Sequence, residues 1–211
     1  VYDTFVFKAT SLGVDIFDVI TEALMAFVIY NGGINSVTTT INTGYLMLAT
    51  TNSGIWKMPL STISGVGNLT DKISAYKMYP DISNNYVNYV HGSGNYLCVA
   101  TISGAHIFDL TTNSGIYSNT SIAPEKCYQL SDRTSYYIYD NKATTVYNDD
   151  STYLYESGDG IIPTVSGIND IYVVFGTNNL ILLATTDGVV VIEESKGNES
   201  NSLFKYFYIE E

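Results

Sequence analysis

The feature that most constrains this chain is a phrase that it repeats. "YLCVATISGAHIFDL" (Tyr96–Leu110) reads as an apolar strand, a tight turn and a second strand. Close variants occur as "FVFKATSLGVDIFDV", "LMLATTNSGIWKMPL", "YYIYDNKATTVYNDD" and "LILLATTDGVVVIEE". With Thr10, Thr50, Thr101, Asp140 and Thr185 taken to close the first strand, the copies lie 40, 51, 39 and 45 residues apart. A period in that range marks a chain built from copies of one supersecondary unit. The first strand of the phrase is an almost continuous apolar run, suited to burial on both faces. A small Ala precedes the Thr in four copies (Ala9, Ala49, Ala100, Ala184), leaving room for a neighbouring layer. A Thr or Asp side chain at the strand end can hydrogen-bond the turn backbone. Gly13, Gly54, Gly104 and Gly188 are expected to supply a positive φ in the turn. The fourth copy has Ala143 in that place, so its hairpin is predicted to be the least regular.

The intervening segments also read as strands. "INSVTTT", "YVNYVHG", "EKCYQLS" and "NDIYVVFG" each precede a phrase, and "ALMAFVIY", "ISAYKMYP", "STYLYES" and "LFKYFYIE" follow one. The third copy is followed only by the weaker "SGIYSNTS". Gly, Asn, Asp and Ser separate the runs. The one helix candidate, "DVITEALMAFVIY", is rich in β-branched and aromatic residues and is predicted to be a strand. About four antiparallel strands per unit, in five units, predict an all-β single five-bladed β-propeller over residues 1–211. The expected blades are 1–33, 34–80, 86–121, 125–157 and 169–211. A β-sandwich with an appendage is the competing fold, but it does not require a recurring turn. The phrase L-x-x-A-T-x-x-G resembles the blade repeats of two-component-regulator-type and WD40-like propellers. The WD dipeptide is absent, and "TTNSGIW" lacks the Asp of a sialidase-type Asp-box. The first phrase begins almost at Val1, so the first blade has no innermost strand of its own, and a ring of nineteen strands with adjacent termini is predicted. With no initiator Met, Val1 is expected to be a processed or truncated terminus.

Composition then narrows the function classes. A net charge of −12 with only nine Lys and Arg argues against nucleic acid, which requires clustered cations. No apolar run reaches the roughly 18 residues of a membrane helix, so no membrane insertion is expected. Cys98 and Cys127 sit in strand contexts and read as small buried hydrophobes rather than a disulfide framework. His91 and His106, the two histidines, are in no metal-ligand spacing. "YNDDS" and "ESGDG" do not match a calcium loop. No metal, cofactor or catalytic residue is therefore expected.

Among carboxylates on or beside inner strands, Glu125, Asp132 and Asp170 are the pair-forming candidates for glycoside hydrolysis, as in some five-bladed propellers. They come from only two units, which disfavours that reading. The resemblance implies that ligands bind at the channel end carrying the phrase turns and the connections between units. Those connections give Asn31, Asn35, Asp81, Asn84, Asn85, Asp159 and Asn169 as candidate ligand residues. The function expected from all this is a non-enzymatic protein-interaction or structural module. Its partner is a protein or larger assembly, and its setting a virion or an extracellular surface. A lectin-like propeller that binds glycan is the alternative, and a glycoside hydrolase the least favoured.

Overall fold

The computed structural model describes residues 4–63, 67–76, 85–130, 134–139, 142–146, 152–156, 167–174, 178–195 and 203–208. Its strands form five four-stranded sheets, and the chain is a five-bladed β-propeller. Blade 1 holds β1 (Phe5–Thr10), β2 (Gly13–Asp18) and β3 (Leu24–Ile29). Blade 2 holds β4 (Ile34–Thr40), β5 (Tyr45–Thr50), β6 (Ile55–Pro59) and the short β8 (Ser74–Ala75). Between β6 and β8, β7 (Gly67–Asn68) leaves its own blade and pairs in parallel with the outer strand β3 of blade 1. Blade 3 is β9 (Val87–Ser93), β10 (Tyr96–Thr101), β11 (Gly104–Asp109) and β12 (Ser114–Asn119). Blade 4 is β13 (Lys126–Gln129), β14 (Ser135–Tyr139), β15 (Lys142–Val146) and β16 (Thr152–Glu156). Blade 5 is β17 (Ile168–Val174), β18 (Asn178–Thr185), β19 (Gly188–Ser195) and β20 (Leu203–Tyr208). Among the described residues the blades own nineteen strands, and β7 is a twentieth lent by one blade to another. The segment weighed as a helix is the strand β3.

The repeated phrase is a hairpin closed by its threonine. Thr101 Oγ1 donates to the Gly104 carbonyl at 3.0 Å and accepts the Ser103 N–H at 3.2 Å. Thr10, Thr50 and Thr185 make the same pair of bonds across their turns. Gly13 has φ of 144°, and a Cβ there would lie 1.8 Å from the Val28 carbonyl oxygen. Gly104 serves differently from what the sequence implied, because it is not among the positive-φ glycines. It is needed for space: a Cβ would meet His106 Nε2 at 2.9 Å and the Asn119 carbonyl at 3.0 Å. Thr101 is fully buried, so Thr101→Val, which keeps the shape, removes the acceptor of the Ser103 N–H and a donor to the Gly104 carbonyl. A loss of about 1–3 kcal/mol is expected in urea unfolding, with Thr101→Ser costing clearly less. Equal stability of Thr101→Val and the parent would refute the capping role.

Blade 4 corrects the sequence alignment by one residue. Its hairpin closes on the pair Tyr139 and Lys142, the positions held by Thr10 and Gly13 in blade 1. Tyr139, not Asp140, is therefore the equivalent of the threonines, and Lys142 rather than Ala143 stands where the others have glycine. A one-residue shift exchanges the faces of a strand. Tyr137 accordingly packs toward blade 3, with Cys98, Ala100, Ala105, Ile107 and Cys127. Ile138 and Tyr136 pack toward blade 5, with Ile181, Leu183 and Val190.

Apolar side chains between neighbouring sheets form four successive cores, joining blades 1 and 2, 2 and 3, 3 and 4, and 4 and 5. Both cysteines are free thiols in the third of these. Among the described residues no core joins blade 5 to blade 1. Consistently, β1 is the innermost strand of its sheet, whereas β4, β9, β13 and β17 lie inside the phrase strand in the other four.

Candidate functional site

The four inner strands pack against one another in sequence, β4 on β9, β9 on β13 and β13 on β17, with β1 beside β4. β4, β9 and β17 begin close to the phrase turn. Thr51 N–H donates to the Gly33 carbonyl, Ile102 N–H to that of Tyr86 and Thr186 N–H to that of Gly167. The turn and the connection between units therefore share one end of the ring, as the resemblance implied.

At that end three inner strands carry the same device. The register slips by one residue after Ile34, Val87 and Ile168, leaving Asn35, Asn88 and Asn169 as the extra residue of a β-bulge. Asn35 Nδ2 donates to the Val87 carbonyl at 2.8 Å, and Asn88 Nδ2 to the Pro124 carbonyl at 2.8 Å. Each amide latches its blade to the start of the next inner strand. Asn169 is exposed. Of the other candidate residues, Asn31 is exposed in the turn into β4, and Asn85 is exposed with its carbonyl accepting the Gly54 N–H at 2.8 Å. Asp81, Asn84 and Asp159 lie outside the described residues, as does Asp132. Among the described residues no hydrogen bond joins any two of these candidates, and the ring spreads them over separate blades.

Below the rim, side chains do converge. The residue opposite the phrase alanine position is Ser36, Tyr89, Lys126 or Asp170 in blades 2 to 5. Two residues further along stand Thr38, His91, Tyr128 and Tyr172. Period-two alternation places both sets on one face of their strands. In blades 3 to 5 they form a continuous wall. His91 stacks on Tyr128 with centroids 4.2 Å apart and planes at 22°, and Tyr128 meets Tyr172 edge-on at 5.4 Å. Lys126 Nζ pairs with Asp170 Oδ2 at 2.8 Å and sits 5.9 Å from the Tyr89 ring centroid. Tyr89, His91, Tyr128, Asp170 and Tyr172, with Leu182, border a cavity of about 480 Å³.

Burial sets the protonation of this wall. It pushes the His91 imidazole down to about 4, and Nδ1 accepts the Gln129 N–H at 3.1 Å. Burial and the neighbouring Tyr172 push the Tyr128 phenol up to about 12. Burial and the Asp170 carboxylate raise Tyr89. The wall is therefore neutral at physiological pH apart from its one ion pair. Sequence reading singled out His91 and Asp170 but missed Tyr89, Lys126, Tyr128 and Tyr172. The pattern that could have found them is the alternation Y-x-H, K-x-Y and D-x-Y at matching places before three phrases. Among the described residues no three His, Cys, Asp or Glu side chains come together as a metal site would require.

Fold and channel together define the molecule as a β-propeller module. Neither a protein-family model nor a curated protein matches its sequence. Solved structures match its fold. One is PorZ, a surface component of the type-IX secretion system of Porphyromonas gingivalis, with TM-score 0.67, 12% identity, and coverage of 99% of this chain and 25% of that one. Another is U3-55K, with TM-score 0.68, 11% identity, and coverage of 97% and 61%. A third is the extracellular domain of the hybrid two-component system BT3049 from B. thetaiotaomicron, with TM-score 0.65, 18% identity, and coverage of 99% and 29%. The chain thus spans less than two thirds of each of these chains. At such identities the likeness is one of fold.

Proposed function

We propose that this propeller is a non-enzymatic binding module that contacts a protein partner in a larger surface assembly through its channel wall. The observation that carries the reading is how the wall uses its ionisable groups. Lys126 and Asp170 neutralise each other at 2.8 Å, and His91 is half-buried, with Nδ1 accepting a backbone N–H. Glycoside hydrolysis requires one carboxyl to give a proton and a second to attack or to activate water. Here Asp170 holds a lysine, while Glu125 is exposed at the head of β13. What the wall offers a ligand is aromatic surface, with Tyr172 57% exposed beside the ion pair. Tyrosine faces next to a charged pair suit the anchor residues of protein interfaces. The shared fold of PorZ, a surface component, and of the BT3049 extracellular domain supports an extracellular or surface setting. The latter also favours two-component-regulator-type blades.

The test places a photo-cross-linking amino acid at position 172 in the cell that makes the protein. One discrete protein adduct is expected, absent when the same group replaces the exposed Leu12. On a glycan array no glycan is expected to bind. Hits that Tyr172→Ala abolishes would establish the lectin reading instead. Release of chromophore from aryl glycosides that Asp170→Asn abolishes would make the protein an enzyme.

A further inference from the structure

The ion pair of the channel wall does not present its two members equally. The Asp170 side chain is 54% exposed and that of Lys126 32%. Asp170 borders the cavity of about 480 Å³, and Lys126 stands outside it. With His91 neutral, the carboxylate is the one charged group among the described residues that border the cavity. It also has acceptor positions to spare. Oδ2 accepts from Lys126 Nζ, and Oδ1 accepts the Ile171 N–H at 2.9 Å, whereas an ionised carboxylate offers about four such positions. Tyr172 lies two residues further along the same face of β17, its Cα about 7 Å from that of Asp170. Its ring is 57% exposed, and Tyr89 and Tyr128 border the same cavity. The face of an aromatic ring attracts cations. The net charge of −12 adds a long-range field of the same sense, which draws cations and repels anions.

We propose that this cavity holds an arginine side chain of the partner protein, its guanidinium stacked on the Tyr172 ring and bonded to the Asp170 carboxylate. The proposal rests on the channel-wall reading and names the chemistry of the anchor. Arginine suits the site better than lysine. A planar guanidinium gives a fork of N–H donors to a carboxylate while its face lies on an aromatic ring, whereas an ammonium is a compact, strongly hydrated point charge. Lys126 is then an internal competitor. It neutralises Asp170 through one oxygen in the free protein, and it shares the carboxylate once the arginine enters. An acidic side chain aimed at Lys126 would instead have to pass the more exposed carboxylate, against the field of the whole chain.

The probe is N-acetyl-arginine amide, titrated at low salt into isotope-labelled protein and followed by the amide NMR signals of Ile171 and Tyr172. Saturable shifts at millimolar concentrations are expected, weakening as salt is added. N-acetyl-citrulline amide, with the same shape and no charge, should produce none, and N-acetyl-lysine amide should bind several-fold more weakly. Asp170→Asn should weaken arginine binding about tenfold, and Tyr172→Ala should weaken it as well. Lys126→Gln decides between the two signs of ligand. It releases the carboxylate and should tighten arginine binding, whereas a wall built for anions would lose its ligand. Partly exposed pairs contribute little to stability, so neither change in the pair threatens the fold. Equal shifts from arginine and citrulline, no saturable shift from arginine, or weaker arginine binding after Lys126→Gln would each overturn the proposal. So would tighter binding of N-acetyl-aspartate amide than of the arginine probe. The cross-link at position 172 separates this proposal from the reading beneath it. An adduct that forms undiminished with Asp170→Asn removes the arginine and leaves the wall as the contact surface. Absence of any adduct in the parent removes the wall reading itself.

Discussion

Lowering the pH from 7 to 4 is expected to remove several kcal/mol of stability through two histidines alone. Burial holds both His91 and His106 at about 4, against an ordinary value of 6.5. Their folded-state values are depressed, so the unfolded chain takes up protons first as pH falls. The stability is intact above about 6.5 and drains away between there and about 4. At about 1.4 kcal/mol per pH unit for each group, the loss reaches up to about 3 kcal/mol per histidine. The structural reasons differ. His91 is stacked on Tyr128 with Nδ1 occupied as an acceptor. His106 is 5% exposed, shares Nδ1 with Ser118 Oγ at 3.0 Å, and has no partner for its buried Nε2. Placing a proton on that nitrogen would bury a charge without an acceptor. Asp18 and Asp109 are held below 3.8 by turn hydrogen bonds, and their contribution is lost only at lower pH, outside this window. Urea midpoints measured between pH 7 and 4.5 should fall steadily. His91→Gln, which retains an acceptor, should roughly halve the slope. Parallel profiles for variant and parent would refute the assignment.

The second large effect belongs to Tyr137. It is fully buried between blades 3 and 4, and its hydroxyl donates to the His106 carbonyl at 2.8 Å. Tyr137→Ala opens a cavity between two sheets and is expected to cost about 3–5 kcal/mol. That is a large share of the about 5–15 kcal/mol that holds a typical domain together. Tyr137→Phe keeps the ring and removes one buried hydrogen bond, so about 1–2 kcal/mol is expected. The ordering distinguishes packing from hydrogen bonding, and near-equal losses in the two variants would overturn it. Its neighbour Tyr136 faces the other way and accepts from Asn179 Nδ2 at 3.1 Å. Two adjacent tyrosines thus pin β14 to the blades on either side.

Those tyrosines also mark where reading the sequence succeeded and where it slipped. The repeated hairpin was legible because Thr and Gly act locally: a hydroxyl bonding three residues ahead and a turn without room for Cβ need no distant partner. Four of five copies align on them. The fourth has neither, and nothing local separates Asp140 from Tyr139 as the closing residue. Only burial of Tyr137 under blade 3 fixes that register. The candidate site was less legible for the same reason. Asn35 and Asn169 were singled out as loop polar residues, yet they occupy one repeated bulge, visible only once Ile34, Val87 and Ile168 are placed opposite their threonines. The stack of His91, Tyr128 and Tyr172 depends on which face of three separate strands points inward, and alternation gives the two faces without saying which is which.

The two-residue strand β7 has a consequence for how the molecule is made. After β6 the chain returns to blade 1, where Leu69 N–H donates to the Phe27 carbonyl and Thr70 Oγ1 accepts the Ile29 N–H. Blade 1 therefore cannot finish its outer edge until residues near Thr70 have left the ribosome. Synthesis does not hand over a completed blade 1. It hands over a pair, clasped by a segment of the second.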